Sequence, residues 1–459
     1  MKKFFALLMV LAMMLMPVGM SFAEEAENAL MVGACRLLLE PSEEVMAEQV
    51  NFDGNPVTGI YNDQYVRAIV IDNGEEVALL LVLESGSSDR NTMKAAIEAE
   101  TGIPATNMIV TDIHNHTSIG GDTFAQYALE RAIECVKQAQ ENMVPALYGY
   151  GETNSYININ RDRQQEEGYW MQDVNPEGYS DKTLAIIKFT DLEGNLIACF
   201  MNYPMHAMAG FNQADVDGQY KVSSNIPGVT CAYIEDRYEG CVAMWTSGAA
   251  GNQNPLEIGS PTYYYDSYPE MRDLPDGASF ALMELYGQRQ ALDAIAELNE
   301  IDASKTQMPI TFVYNTIELP AQKAPEGADM SMNRLLADNL VRKVMGTTEI
   351  PERDLVEMEP DPDNPVVMNM QMAVLGDIAL VGIPAEIYCE IGRDIKEASP
   401  LANTVVIEHT DTPGCGYILD ASSAEHDVFQ SFSSVIPGSS DELIVDGVLE
   451  MMDEYFGLQ

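Results

Sequence analysis

Histidine is scarce in this sequence of 459 residues and occurs only five times. His114 and His116 directly follow the strand-like run 108–113, and a loop with two adjacent glycines, Gly120 and Gly121, comes next. In an extended backbone, residues two apart point to the same side of the strand. The spacing favours a metal ligand beside a group that handles protons. Two ordinary hydrogen-bonded histidines at a polar strand end would give the same pattern.

A third histidine, His206, follows the apolar strand 198–203. A histidine in such surroundings must be buried or lie near the floor of a cleft, where it needs a partner. A catalytic zinc ion usually takes three or more nitrogen or oxygen ligands and keeps one position open for water. Glu386, which is expected to begin a helix, and Tyr417 are candidates for the remaining ligands. Residue types alone therefore indicate a metal site, and a core histidine with a satisfied hydrogen bond remains the alternative.

The elements that must position these residues alternate between strands and helices. Period-two alternation and turn residues predict strands at 65–72, 77–84, 108–113, 183–189, 196–203, 310–319, 366–375 and 378–383. Helical periodicity predicts helices at 91–100, 122–138, 278–298, 331–344, 386–396 and 441–455. No internal repeat is present, and the proline-rich stretch 357–365 is predicted to be a surface loop. We expect one large α/β unit.

The N-terminus predicts export. Lys2 and Lys3 precede the apolar run 4–20, and Ser21-Phe22-Ala23 places small residues at both positions that determine cleavage. We expect a signal peptide at 1–23, cleavage after Ala23 and a secreted or extracytoplasmic protein. No later segment is long and apolar enough to cross a bilayer.

Charge and cysteine usage exclude other classes of protein. The chain carries 24 basic and 72 acidic side chains, a formal net charge of −48. Such a surface repels nucleic acid, which we therefore exclude as a partner. The seven cysteines include no CxxC pair and mostly have apolar neighbours, so they are predicted to be small core residues. Their odd number leaves at least one unpaired within the chain, and a Cys231–Cys241 bridge stays open.

The order of motifs resembles the catalytic domain of the neutral/alkaline ceramidases over most of the predicted mature chain. Six segments carry the resemblance: Ile-His-Asn-His-Thr-Ser-Ile-Gly-Gly at 113–121, Asn-Arg-Asp at 160–162, Asn-Tyr-Pro-Met-His at 202–206, Ser-Ser-Asn-Ile-Pro-Gly at 223–228, Pro-Ala-Glu at 384–386 and Gly-Tyr-Ile at 416–418. The resemblance implies a ceramidase-like domain at 24–459, with mixed β-sheets flanked by helices. About forty residues follow Tyr417, so we expect no C-terminal immunoglobulin-like domain.

The resemblance also implies roles for individual residues. It places the zinc ligands at His114, His206, Glu386 and Tyr417. It places His116 and Arg161 along the wall of the site. A fixed arginine suits a substrate oxygen or an oxyanion, and a histidine suits proton transfer near neutral pH.

One departure from the family pattern bears on function. Asn254 stands where the family carries a serine with an essential catalytic role, and Asn252 replaces an aspartate. We expect an exported zinc-dependent hydrolase that cleaves an amide bond, as in an N-acyl or ceramide-like lipid, or an ester bond with a zinc-activated water. Arg161 and Asn254 would position the acyl oxygen. The alternative is a catalytically altered relative that acts as a binding protein, while the absence of Gly-x-Ser-x-Gly disfavours a serine hydrolase.

Overall fold

The computed structural model describes part of the chain, and every structural statement below concerns that part. The described residues are 30–51, 54–85, 89–164, 170–256, 275–328, 358–411, 415–424, 426, 428, 430–431, 434–438, 440 and 441–458. The predicted signal peptide at 1–23 and the predicted helix at 331–344 lie outside these residues.

Strands and helices alternate along the described chain. The strands are β1 (Met31–Leu38), β2 (Val57–Ile60), β3 (Tyr65–Asp72), β4 (Val77–Leu83), β5 (Met108–Asp112), β6 (Val144–Asn154), β7 (Asn158–Gln164), β8 (Trp170–Asn175), β9 (Thr183–Asp191), β10 (Leu196–Tyr203), β11 (Tyr220–Val222), β12 (Val242–Ser247), β13 (Gln253–Pro255), β14 (Ile310–Leu319), β15 (Gln322–Lys323), β16 (Glu359–Pro360), β17 (Val366–Leu375), β18 (Ile378–Gly382), β19 (Glu386–Ile387), β20 (Asn403–Ile407) and β21 (Tyr417–Ile418). The helices are α1 (Glu43–Glu48), α2 (Arg90–Thr101), α3 (Asp122–Glu141), α4 (Asn225–Arg237), α5 (Ala278–Glu300), α6 (Cys389–Ala398) and α7 (Asp441–Leu458).

The largest sheet has eight strands in the order β12-β10-β9-β6-β1-β3-β4-β5. Its neighbours pair antiparallel except for β4 with β5 and β10 with β12, which run parallel. Helix α3 packs on β1 and β3, while α5 packs on β6 and β9. Apolar side chains fill the core between the sheet and these helices, as expected for strands that are buried on both faces.

A second sheet has four strands in the order β14-β17-β18-β20. Only its last pair, β18 with β20, is parallel, and helix α7 packs on β14. Two smaller sheets matter for the site: one has three strands in the order β13-β7-β8, and in the other the two-residue strands β19 and β21 pair in parallel. The α/β class with mixed sheets and flanking helices is therefore confirmed.

Backbone hydrogen bonds join the segments that follow several strands. The amide of Ala207, after β10, donates to the carbonyl of His114, after β5, at 3.1 Å. The amide of His206 donates to the carbonyl of Gln253 at 3.0 Å, and that of Glu408 donates to the carbonyl of Ser247 at 3.1 Å. Residues from distant parts of the sequence thus meet where these strands end.

Most predicted elements are confirmed within a few residues, including the strands at 65–72, 310–319 and 366–375. The predicted start of a helix at Glu386 is wrong. The amide of Glu386 instead donates to the carbonyl of Gly416 at 2.9 Å, which completes the pairing of β19 with β21 and delays the helix to Cys389.

The cysteines and the helices bear on the remaining sequence predictions. All seven cysteines are described, and each is a buried free thiol, so Cys231 and Cys241 are not bridged. Their placement confirms the prediction of small core residues. Among the described helices, none has both the length and the apolar character that a membrane span requires.

A buried ion-pair cluster ties the main sheet to helix α4. Arg67 on β3 is 1% exposed and donates to Glu84 at 2.6 Å, to the carbonyl of Ala243 at 2.8 Å, and to Glu235 on α4. Burial raises the pKa of Glu84 despite the opposing effect of Arg67. Glu84 therefore depends on this guanidinium, while Glu235 is shared between Arg67 and Arg36.

Replacing Arg67 with alanine is expected to lower the free energy of unfolding by about 3–5 kcal/mol, because the buried carboxylate of Glu84 loses its ion-pair partner and that of Glu235 loses one of two. Arg289→Ala is the control, since Arg289 is 55% exposed in its pair with Asp293. That change should alter stability by less than about 1 kcal/mol. Urea unfolding of the two variants tests the prediction, and equal small effects would contradict it.

Candidate metal centre

The four predicted ligands lie on four separate segments of the fold. His114 follows β5, His206 follows β10, and Glu386 and Tyr417 belong to β19 and β21. Glu386 and Tyr417 are register partners in that parallel pair, although 30 positions separate them in the sequence. The structure brings all four side chains together.

One oxygen of Glu386 is the meeting point of the group. Its Oε2 atom lies 3.2 Å from Nε2 of His114 and 3.4 Å from Nε2 of His206. Nε2 of His206 also lies 3.3 Å from the hydroxyl oxygen of Tyr417. Glu386 Oε2 is buried and makes no hydrogen bond within the described chain. Nitrogen and oxygen atoms with lone pairs therefore face a common point.

Contacts to the Nδ1 atoms set the ring orientations of both histidines. Nδ1 of His114 lies 2.7 Å from Oε1 of the fully buried Glu408, and Nδ1 of His206 lies 3.0 Å from the carbonyl oxygen of Gln253. An acceptor at Nδ1 places the proton there and leaves Nε2 as the ligand atom. Hydrogen bonds of this kind are the usual outer partners of metal-bound histidine.

The spacing of these atoms fits a tetrahedral ion. Two ligands that each lie about 2.0–2.1 Å from zinc are about 3.3 Å apart at the tetrahedral angle. The three measured separations among His114, Glu386, His206 and Tyr417 are 3.2, 3.4 and 3.3 Å. The donor set, with its histidines and one carboxylate, is also the type that zinc takes in hydrolytic sites. These residues form a group that could bind a metal ion.

The pKa values of the metal-free centre are also consistent with a group that could bind a metal ion. Burial opposes the charged imidazole, yet the carboxylates of Glu386 and Glu408 raise the pKa of His114 to about 10. Burial, together with Arg161 and His114, lowers the pKa of His206 well below its ordinary value. Burial also opposes the charged form of Glu386, but His114 and His206 hold its pKa well below the ordinary range. At neutral pH both ring nitrogens of His114 are therefore protonated in the metal-free centre. A divalent cation can replace the second proton.

Arg161 on β7 forms the wall beside Tyr417. Its guanidinium is 2% exposed and donates to the carbonyl of Gly251 at 2.6 Å, to Oδ1 of Asn254 at 3.2 Å and to the hydroxyl oxygen of Tyr417 at 3.2 Å. Asn254 is fully buried on β13, opposite Ile159 of β7. Arg161, predicted for the wall of the site, therefore touches both Asn254 and Tyr417 of the candidate ligand group.

His116 is the most open of the predicted residues. Its ring lies 5.4 Å from that of His114 and 5.5 Å from that of His206, measured between centroids, and it lines a cavity of about 80 Å³. Part of His116 is exposed, but the protein packed around the ring and the nearby His114 lower its pKa to about 3. At neutral pH His116 is therefore uncharged in the metal-free protein.

The backbone at His114 differs from the extended conformation expected for the pair. Its φ is 55°, in the left-handed region that non-glycine residues seldom adopt. The amide of His114 donates to Oδ1 of Asp112 at 2.8 Å, which helps to hold this conformation. His114 and His116 still face the same region, but a turn rather than a strand places them there.

Sequence reasoning missed three residues around the centre: Asp112, Glu408 and His409. Ligand atoms of His114, Glu386 and His409 lie within 4.8 Å of one another, as do those of His114, His116 and His206. Glu408 and His409 directly follow β20, as His114 follows β5. The recurrence of histidine just after an apolar strand was the available signal.

Comparisons with known proteins agree with this architecture. The neutral ceramidase of Pseudomonas aeruginosa is 22% identical over 414 residues, which cover 75% of this chain and 59% of that protein. The neutral ceramidase of Drosophila pseudoobscura is 24% identical over 316 residues, which cover 57% of this chain and 43% of that protein. This chain therefore spans less than two thirds of the length of these curated relatives. No family model matches it.

Solved structures show the same fold. The crystal structure of neutral ceramidase from Pseudomonas aeruginosa superposes with a TM-score of 0.66 at 16% identity, covering 93% of this chain and 75% of that one. A ceramidase complexed with C2 gives a TM-score of 0.65 at 16% identity, covering 93% and 76%.

The mixed α/β fold and the buried group of histidine, glutamate and tyrosine side chains define a ceramidase-like protein with a candidate metal centre. The resemblance expected from the motifs is confirmed: the chain is a relative of the neutral ceramidases, at low sequence identity.

Changing Glu408 to glutamine is expected to weaken zinc binding by about 10- to 100-fold, the range seen when outer partners of metal ligands are altered. Glu408 Oε1 contacts His114, and its Oε2 accepts from the amide of Ala250 at 3.2 Å. A glutamine would place a donor against one of these partners. Competition with a chromogenic chelator measures the affinity, and Glu397→Gln on the exposed face of α6 is the control. Equal affinities in the two variants would contradict the assignment.

Proposed function

We propose that this chain is an exported zinc-dependent hydrolase that cleaves an amide or ester bond of an acyl substrate, with N-acyl lipids as the first class to test. The convergence of two histidine Nε2 atoms on one buried oxygen of Glu386 carries the proposal. The neutral ceramidases to which the chain is similar support the hydrolytic class and the lipid substrate.

The ligand set proposed for zinc is His114, His206, Glu386 and Tyr417. Bound zinc polarises a carbonyl group and lowers the pKa of a coordinated water to about 7. The protein supplies two neutral imidazoles and one carboxylate. Glu408 and the carbonyl of Gln253 keep the Nε2 atoms of both histidines turned toward the ion.

Arg161 is proposed to bind the acyl oxygen of the substrate. It is held by the carbonyl of Gly251 and by Asn254, so its guanidinium is already oriented before a substrate arrives. A fixed cation beside the carbonyl stabilises the negative charge that develops on the oxygen during attack. His116 is proposed to relay the proton that water releases, because its ring lies beside those of His114 and His206 and reaches solvent.

Asn254 narrows the mechanism. A carboxamide cannot act as the nucleophile that a serine hydroxyl can become, so the attacking group must be water. The contact between Asn254 and Arg161 supports a role for Asn254 in positioning the guanidinium. The replacement also favours the alternative, a ceramidase-like protein that binds an acyl ligand without turnover.

Export and domain organisation complete the proposal. We propose that residues 1–23 form a cleaved signal peptide and that 24–459 act as one ceramidase-like domain. The positive, apolar and small-residue pattern at the N-terminus supports export. The match of the neutral ceramidase fold over 93% of the chain supports a single domain.

The purified protein is expected to contain about one zinc ion per chain, and His206→Ala and Glu386→Ala should retain little of it, since each removes a ligand at the meeting point of the group. Elemental analysis and hydrolysis of a panel of N-acyl lipids and simple acyl esters test this together. Turnover by Glu386→Ala would contradict the zinc mechanism. Zinc binding without turnover on any substrate would favour the binding protein.

Arg161→Lys is expected to lower kcat/KM by about 10²- to 10³-fold while zinc content stays unchanged, because lysine keeps the charge but loses the planar, oriented guanidinium. Arg393→Lys, on the partly exposed face of α6, serves as the control. An unchanged kcat/KM in Arg161→Lys would show that this arginine has no part in binding the acyl oxygen.

A further inference from the structure

His409, which no part of the proposed mechanism uses, lies against the metal centre. It follows β20, and its ring centroid is 4.2 Å from that of His114. Its Nε2 atom lies 3.9 Å from Oε1 of Glu386, the carboxylate oxygen opposite the one that faces His206. The histidine therefore approaches Glu386 from the side that the four-residue ligand set leaves open.

The orientation of this ring is set in the same way as those of His114 and His206. Nδ1 of His409 lies 3.1 Å from Oδ1 of Asp112, whose other oxygen accepts from Arg90. With Nδ1 directed to a carboxylate, the Nε2 atom is turned toward Glu386. This Nε2 atom is buried and makes no hydrogen bond to any described residue. A nitrogen with a lone pair thus faces a carboxylate oxygen, an arrangement that a cation between them would stabilise.

The segment that carries His409 is anchored on both sides. The amide of Glu408 donates to the carbonyl of Ser247, and the carboxylate of Asp411 accepts from Lys94 on α2 at 2.8 Å. His409 and Asp411 have φ values of 59° and 60°, which non-glycine residues rarely adopt. The surrounding contacts therefore hold the ring in one place against the preference of the local backbone.

We propose that His409 is a further ligand of the same metal ion, on the Oε1 side of Glu386. The proposal rests on the metal centre proposed above and extends it. His114 and Glu386 then belong to two overlapping sets of two histidines and one glutamate, completed by His206 on one side and by His409 on the other. Two histidines and one carboxylate are a ligand set that zinc takes in catalytic sites, where a further position stays open for water.

The variant His409→Asn tests the assignment with little disturbance of the backbone, because asparagine tolerates the left-handed conformation better than most residues. Thr410→Ala is the matched control: Thr410 is the next residue, it is buried, and its hydroxyl makes no hydrogen bond within the described chain. Thermal unfolding of both variants in the presence of a chelator checks that the metal-free fold is intact.

Two measurements on the full-length mature protein decide the question. Chelator competition is expected to show zinc affinity more than about tenfold weaker in His409→Asn than in the wild type, and unchanged in Thr410→Ala. Substitution with Co²⁺ is expected to give a visible absorption spectrum that differs between His409→Asn and the wild type, because a ligand of the ion has been lost. Thr410→Ala should keep the wild-type spectrum.

Each contrary outcome has a separate meaning. Equal zinc affinity and an equal cobalt spectrum in His409→Asn and the wild type would overturn the role of His409 while the four-ligand centre stands. Weaker affinity with an unchanged cobalt spectrum would make His409 a positioning residue and would also overturn its role as a ligand. A wild-type protein that binds neither zinc nor cobalt would overturn both the centre and this extension of it.

Discussion

The centre of this protein depends on an electrostatic constraint: lone pairs from different parts of the chain converge on one buried carboxylate. Nε2 atoms of His114 and His206 both lie within 3.4 Å of Oε2 of Glu386. Atoms that only accept hydrogen bonds repel one another unless a proton or a cation lies among them. The pKa of His114, raised by Glu386 and Glu408, reflects this requirement in the metal-free protein.

Residues around the centre fix the direction of these ligand atoms. Carboxylates or carbonyls behind each ring, from Glu408, Gln253 and Asp112, bind the Nδ1 atoms and leave the Nε2 atoms turned inward. Glu408 follows β20, Gln253 begins β13 and Asp112 ends β5, and backbone hydrogen bonds join these parts of the chain to their neighbours. The short parallel pair β19–β21 places Glu386 opposite Tyr417. The hydrogen-bond partners of the histidines and the strand pair β19–β21 thus explain how the candidate ligand atoms are arranged.

The chemistry of the site differs from the family pattern at one buried position. Asn254 makes a hydrogen bond to Arg161 instead of offering a hydroxyl group. Arg161, the histidines and the glutamate that the family resemblance places at the site are all present and lie together. The replacement of the family serine therefore leaves the candidate metal centre and its neighbouring arginine in place.

The sequence by itself determined the local elements and most of the site. Alternation of apolar and polar residues predicted strands such as 310–319. The position just after an apolar strand drew attention to His114 and His206. Both signals depend only on near neighbours in the sequence. Only the tertiary structure decided the rest. The helix predicted from Glu386 begins later because that residue pairs with a strand that is distant in the sequence. His409 also follows an apolar strand, but only the tertiary structure shows its contact with Glu386. Such contacts arise from long-range strand pairing, which local periodicity does not encode.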